Sequence, residues 1–221
     1  MIARRFQVTL TGETPLLMHN DNLSWDEKMK KWLSDPDNKK NSSAGDDRTP
    51  AWRWQGYLYT EANKIVIPAD NLMTLLREGG AKCPTGKGQL TFKRQTQSGL
   101  VVDQSSWPLL VNGNEVPMTE IKALAGDNDF EKHIAIAEKY GFELFVKRAK
   151  IGQAKHIRVR PRFDNWSCTG TITVLDETIT EGILTKILSY AGIHAGLCDW
   201  RPSSPKSPGP FGKFTAEIKA L

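Results

Sequence analysis

The alternation of apolar and polar residues near the start of the chain predicts a β-strand. Phe6, Val8 and Leu10 alternate with polar neighbours until Gly12 and Pro15 interrupt the pattern. Other extended stretches predict further strands, at 52–59, 64–67, 142–146, 157–163, 168–175 and 211–218. Strands therefore outnumber helices.

Apolar residues spaced three and four positions apart predict several helices. Ser24 and Glu27 have capping-box spacing and open a short helix. Asp70 can cap a second helix, which Gly79 and Gly80 end. Two further helices are predicted, at 130–140 and from a Thr180 cap through Leu188.

Two other segments lack helical periodicity. Residues 35–50 are polar throughout and predict a mobile loop. Residues 82–116 are rich in Gly and Thr and carry an Asn112-Gly113 turn signal, which is typical of hairpins. The order of elements predicts an α+β fold in which two helices cover one face of an antiparallel sheet.

The composition is that of a globular protein. The 221 residues include 39% hydrophobic and 25% charged residues, which excludes disordered, collagen-like and coiled-coil classes. This length predicts a single domain, 1–221. The start lacks a signal peptide, and no segment approaches the ~20 apolar residues of a membrane span, so we expect a cytoplasmic protein without a membrane partner. The three dispersed cysteines predict reduced core thiols, at Cys83, Cys168 and Cys198.

The net charge of +5 is concentrated in one segment. Residues 147–162 contain no Asp or Glu and hold seven cations: Lys147, Arg148, Lys150, Lys155, Arg158, Arg160 and Arg162. On a strand, alternate residues share a face about 6.6–6.8 Å apart, so the last three arginines would form a row that can follow a sugar-phosphate backbone. The alternative is a solvated face whose charges pair with the chain's own carboxylates.

Tryptophan is abundant, and two interpretations remain open for it. Trp166, Trp200 and Phe211 flank the basic segment and can either stack on bases or pack in the core. Four others form either exposed aromatics on a projection or a small satellite core: Trp25, Trp32, Trp52 and Trp54.

Motifs for catalysis and cofactor binding are weak. Thr85-Gly86-Lys87-Gly88 lacks the spacing and the Ser/Thr of a phosphate-binding P-loop. The four histidines show no zinc pattern, so no metal or cofactor is predicted. His19, Asp21 and Asp26 follow the first strand, where a carboxylate can support metal-assisted phosphodiester cleavage or simply stabilise a turn.

Three motifs in this order resemble those of a known family. They are Thr-Gly-Glu-Thr-Pro-Leu at 11–16, Ile-Val-Ile-Pro-Ala-Asp-Asn-Leu at 65–72 and Ser-Pro-Gly-Pro-Phe-Gly-Lys-Phe at 207–214. The chain thereby resembles the RAMP superfamily, the proteins that form the guide-RNA-binding backbone of CRISPR effector complexes. Ala69-Asp70 stands where the family has Gly-Ser, so a divergent relative encoded by a mobile element fits as well.

The resemblance implies an RRM-like (ferredoxin-like) core with a thumb-like insertion at 21–64, and the hairpin-rich segment at 82–116 would belong to the same domain. It implies subunits that stack into a homo-oligomer along the bound strand. Some members cleave RNA with an Asp in the loop after the first strand, where Asp21 lies.

The residues and the resemblance together predict non-enzymatic binding of single-stranded RNA or DNA. Arg201 and Lys206 would clamp phosphates from a second loop. The remaining candidate contacts are Lys87, Lys93, Arg94 and Trp200. Two alternatives stay open: a metal-dependent ribonuclease using Asp21, and a protein-interaction or inhibitor module with a basic surface.

Overall fold

A computed structural model describes residues 3–43, 45–151 and 154–221. Its strands are β1 (Arg4–Gly12), β2 (Leu16–Leu17), β3 (Thr60–Glu61), β4 (Lys64–Pro68), β5 (Leu100–Val102), β6 (Ser106–Val111), β7 (Asn114–Glu115), β8 (Glu143–Ile151), β9 (Ala154–Phe163), β10 (Trp166–Val174) and β11 (Phe214–Ala220). Its helices are α1 (Leu23–Leu33), α2 (Pro36–Asn41), α3 (Ala69–Lys82), α4 (Lys93–Ser98), α5 (Thr119–Ala123), α6 (Phe130–Lys139) and α7 (Glu181–Tyr190). A 3-10 helix covers Arg53–Tyr57, and a π-helical turn covers Ala191–Ala195.

The fold is α+β with a mostly antiparallel sheet, as the order of predicted elements indicated. The chain divides into two compact units. The first unit takes the chain up to Leu17, Val66–Glu115 and Asp164–Leu221, and the second takes Met18–Ile65 and Val116–Phe163. The segment 21–64, expected as an insertion, thus forms its unit together with a distant stretch of the chain.

The sheet of the first unit is built around β1 and β10. Its strand order is β11-β1-β10-β6-β4, and β5 also pairs with β10. The apolar residues Phe6, Val8 and Leu10 are buried on one face, which confirms the strand that their alternation predicted. Thr180 caps α7 by accepting a hydrogen bond from the Ile183 amide, also as predicted.

Two glycines predicted to end α3 lie inside it instead. A Cβ on Gly79 would come within 2.6 Å of the Ala191 Cβ, and a Cβ on Gly80 would overlap the Thr96 side chain. Both glycines are buried, so their lack of a side chain serves close packing of α3 against its neighbours. The helix continues to Lys82 because these contacts offset the intrinsic cost of glycine in a helix.

Local hydrogen bonds account for three other differences from the expected elements. Asn22, rather than Ser24, caps α1 and accepts a hydrogen bond from the Ser24 amide. The predicted loop at 35–50 contains α2, which Asp35 caps and Pro36 begins. The stretch at 52–59 was expected to be a strand, but Gln55 donates to the Trp52 carbonyl at 3.1 Å, as in a 3-10 helix.

Aromatic side chains form the core of the second unit. Trp52 and Trp54 are buried, and Trp25 and Trp32 lie within 5.7 and 6.4 Å of Trp52 between ring centroids. Trp25, Trp32 and Trp52 thus pack together, in agreement with the satellite core that was one of the two interpretations, while Trp54 packs on Phe142 with ring centroids 5.8 Å apart.

The three cysteines are buried and unpaired with one another, as expected for core thiols. Burial raises the pKa of the Cys198 thiol to about 12. Among the described residues, no helix is long and apolar enough to cross a membrane.

Candidate nucleic-acid interface

Strands β8 and β9 form an antiparallel pair, here called the basic hairpin. Lys147 lies opposite Arg158, Phe145 opposite Arg160, and Glu143 opposite Arg162. Directly paired residues share a face, so the three arginines lie on one side of the hairpin, as the alternation predicted.

Acidic neighbours in the same chain neutralise part of this arginine row. Arg162 Nη1 lies 2.8 Å from Glu143 Oε1, and Arg158 Nη1 lies 3.1 Å from Asp47 Oδ1. These two arginines are half-buried, with 26% and 22% of their side chains exposed. The prediction of a row of three unpaired guanidinium groups is therefore wrong for Arg158 and Arg162, which pair with carboxylates of the same chain.

Asp47 organises the cations around it. Its side chain is fully buried, and Arg53 Nη1 lies 3.1 Å from the same Oδ1 atom that Arg158 contacts. The Tyr57 hydroxyl donates to Oδ2 at 3.1 Å. Burial, with the Asp47 carboxylate as the next cause, raises the pKa of Tyr57, so this hydroxyl keeps its proton. A buried carboxylate with two arginine partners holds both guanidinium groups in place.

Both arginines line one small pocket, here called the arginine pocket. Its volume is about 140 Å³, and the residues around it are His19, Asn20, Asp21, Asn22, Trp25, Asp26, Met29, Arg53, Gly56, Tyr57 and Arg158. The loop before α1 and the first turns of α1 form one wall, and the 3-10 helix and β9 form another. A Cβ on Gly56 would lie 2.8 Å from Trp25 Cγ, so glycine permits the indole to pack there.

The pocket brings together residues that the sequence proposed separately. Asp21 and Asp26, the two candidate acids, both line it beside Arg158. Both carboxylates are exposed, and neither makes a hydrogen bond or ion pair with a described residue. Within the described ranges, no cluster of three or more His, Cys, Asp or Glu side chains could hold a metal ion.

The sequence did not single out Asp47 or Arg53. Asp47 lies in a run of polar residues, and its partner Arg158 is 111 positions away. The adjacent tryptophans Trp52 and Trp54 were the available signal, because they place this segment in a core.

The far end of the basic hairpin carries exposed cations. Lys147, Arg148 and Lys155 are exposed, and the last two make no ion pair with a described residue. The side chain of Lys150 lies outside the described part of the chain. The charges of Lys147, Arg148 and Lys155 are therefore at the surface, whereas ion pairs inside the unit neutralise part of the arginine row.

The second predicted clamp is occupied within the first unit. Arg201 Nη2 lies 3.1 Å from Glu78 Oε1, and Arg201 Nη1 donates to the Cys198 carbonyl at 3.1 Å. Its guanidinium fixes a loop, so we assign Arg201 a structural role, while Lys206 is exposed.

The aromatic residues that flank the basic segment pack inside the first unit. Trp200 packs on Phe211 with ring centroids 5.4 Å apart. Trp166 is buried and donates to the Thr14 carbonyl at 2.9 Å, so it belongs to the core.

The other predicted cations lie together in the first unit. Lys87, Lys93 and Arg94 line a groove of about 640 Å³ near the start of α7.

No protein-family model matches this chain, and no curated protein matches its sequence.

Proposed function

We propose that the protein binds single-stranded nucleic acid through its second unit, with the arginine pocket and the end of the basic hairpin as the contact surface. One observation carries the proposal: buried Asp47 holds Arg53 and Arg158 at the wall of a pocket that Trp25 also lines. Guanidinium groups recognise phosphate, and an indole offers a stacking surface for a base.

The arginine pair retains both charge and hydrogen-bond donors. Each guanidinium has five N–H donors, and Asp47 offsets only one of the two positive charges. Because Asp47 already fixes both side chains, a phosphate would bind without ordering them anew, which lowers the entropy cost of binding.

Trp25 supplies the stacking surface in this proposal. Its side chain is half-buried, and Lys28 Nζ lies 4.5 Å from its ring centroid. Stacking of one base on an aromatic side chain contributes about 1–3 kcal/mol and depends little on base identity. Contacts of this kind favour single strands, whose bases are free to stack on protein.

The hairpin extends the proposed surface away from the pocket. Lys155 lies three residues before Arg158 on β9, which corresponds to about 10 Å of strand. Arg148 lies on the adjacent strand. An offset of three residues places Lys155 on the opposite face of β9 from Arg158, and Arg148, which pairs with Ile157, shares the face of Lys155. A strand that leaves the pocket would therefore pass from one face of the hairpin to the other to place its phosphates on these exposed cations.

The first unit is proposed as an RRM-like core. Supporting this, α3 follows β1, α7 connects β10 with β11, and the strand order β11-β1-β10 places the first and last strands side by side. With the three sequence motifs, this order supports a divergent relative of the RAMP superfamily. The open sheet face carries Gln7, Thr9 and Thr169 rather than the aromatic residues on which RRM sheets stack bases, so we place strand binding in the second unit.

The test is a fluorescence-anisotropy titration with a labelled single strand and the matching duplex at several salt concentrations. If about four phosphates are neutralised, log K should fall with log salt with a slope near −3. The single strand should bind more tightly than the duplex. Absence of binding at low salt, or equal affinity for both forms, would contradict the proposal.

A second candidate function is metal-dependent cleavage of the bound strand. The observation that favours it is the position of Asp21 and Asp26 in the arginine pocket without protein partners. Mg²⁺ commonly binds one or two carboxylates together with substrate phosphates. Asp21 and Asp26 would supply the carboxylates, and a phosphate held by the two arginines would supply the remaining ligands, so Mg²⁺ would bind only when the strand is present.

The double variant Asp21→Asn/Asp26→Asn distinguishes the two functions, because it should raise strand affinity in a binding protein but abolish cleavage in a nuclease. For a binding protein, removing two negative charges near a phosphate should raise affinity about two- to fivefold at low salt. For a nuclease, Mg²⁺-dependent cleavage of a labelled strand should disappear. Asp35→Asn/Asp37→Asn is the matched control, because both residues are exposed, neither lines the pocket, and asparagine caps α2 about as well as aspartate.

A further inference from the structure

A second concave surface, outside the proposed strand-binding site, lies in the first unit. It is a groove of about 640 Å³ formed by residues 85–95 and the segment that enters α7, here called the lysine groove. Pockets of this volume hold small organic ligands.

The groove carries positive charge without acidic partners. Lys87, Lys93 and Arg94 are exposed, and none makes an ion pair with a described residue. No Asp or Glu is found among the described residues that line it. This contrasts with Arg201 in the same unit, whose charge is paired with Glu78. Three neighbouring cations repel one another, and a multiply charged anion would relieve that repulsion.

A closed loop presents the first of these cations. The Thr85 amide donates to the Leu90 carbonyl at 2.9 Å, and the Lys87 amide donates to Thr85 Oγ1 at 3.3 Å. Gly86 and Gly88 have φ of 81° and 58°, a left-handed conformation that favours glycine. The loop is not a P-loop, but it fixes the backbone from which Lys87 extends.

Two further features concern the rest of a ligand. Leu90, 65% exposed, and Ile183 give the groove an apolar surface. Gln95 also lines the groove, and its Oε1 atom is buried without a hydrogen-bond partner among the described residues. A buried acceptor without a partner costs free energy, and a ligand donor would recover that free energy once the Gln95 side chain turns outward into the groove.

We propose that the lysine groove binds a nucleotide by its terminal phosphate. The phosphate would contact Lys87, Lys93 and Arg94, and the base would cover the apolar surface. A ribose hydroxyl or base amine would donate to Gln95 Oε1 after that side chain turns outward. The same chemistry is offered by a free nucleotide and by the 5′-phosphorylated end of a strand. The proposal uses no residue of the arginine pocket and stands independently of strand binding there.

The experiment is isothermal titration calorimetry of the full chain with ATP, adenosine, and a short oligonucleotide with either a 5′-phosphate or a 5′-hydroxyl. We expect ATP or the 5′-phosphorylated oligonucleotide to bind with Kd below about 1 mM and at least tenfold more tightly than its unphosphorylated counterpart. The double variant Lys93→Gln/Arg94→Gln should lose at least tenfold in that affinity. Lys219→Gln, an exposed lysine on β11 in the same unit, should retain it.

The pattern of ligands identifies the source of the phosphate. Binding of ATP without preference between the oligonucleotides supports a free nucleotide, and preference for the 5′-phosphorylated oligonucleotide without ATP binding supports a strand end. Equal affinity for ATP and adenosine together with equal affinity for both oligonucleotides would overturn the proposal. So would unchanged affinity in the double variant. Strand binding that survives in the double variant but fails in Arg53→Gln would show that the two sites are separate.

Discussion

Replacing Asp47 with alanine is expected to lower the free energy of unfolding of the second unit by about 3–5 kcal/mol. The Asp47 side chain is fully buried and contacts Arg53 and Arg158 at 3.1 Å each. The substitution would leave two half-buried guanidinium groups without their carboxylate, and the Tyr57 hydroxyl would lose its acceptor. Removing one partner of a buried ion pair is costly because the other charge stays partly desolvated.

Urea titration followed by tryptophan fluorescence measures this effect, because the second unit contains four tryptophans, Trp25, Trp32, Trp52 and Trp54. The matched control is the adjacent Asp46→Ala. Asp46 pairs with Arg48, whose side chain is 49% exposed, so its loss should cost less than about 1 kcal/mol. Equal destabilisation by the two substitutions would contradict the assigned role of Asp47.

The same variant connects stability with strand binding. Without urea, and at a temperature where the Asp47→Ala chain remains folded, Arg53 and Arg158 would no longer be held at the pocket wall. Affinity for a single strand should then fall even in the folded protein, since the cost of ordering both side chains returns.

Elements determined by local patterns could be predicted from the sequence. The alternation around Val8 is enough to specify β1, and the Thr180 cap is enough to begin α7. The shared face of the three arginines could be predicted from the alternation at 157–163, because the strand period alone sets the face of each residue.

Long-range pairing could not be predicted in the same way. Whether Arg158 faces solvent or a carboxylate depends on Asp47, 111 positions earlier in the chain, and no local period reports that contact. Gly79 and Gly80 illustrate the same limit, since a glycine pair reads locally as a helix end but here permits close packing. Tertiary contacts decide both cases.

The exposed end of the basic hairpin should carry much of the salt-dependent affinity for a single strand. For the double variant Arg148→Gln/Lys155→Gln we expect about 25-fold weaker binding at 0.1 M salt. Each lost phosphate contact removes about 0.7 from the slope of log K against log salt, which is also about 0.7 in log K at that concentration. The slope should therefore become shallower by about 1.4.

Neither side chain of that double variant makes an ion pair with a described residue, so the free energy of unfolding should change by less than about 0.5 kcal/mol per substitution. Lys30→Gln/Lys31→Gln removes the same charge from exposed positions of α1 in the same unit, outside the hairpin and the arginine pocket. If binding depends on the hairpin, this control should keep most of the affinity and slope. An equal loss in both variants would mean that only the net charge of the unit attracts the strand, and the hairpin would then have no specific role.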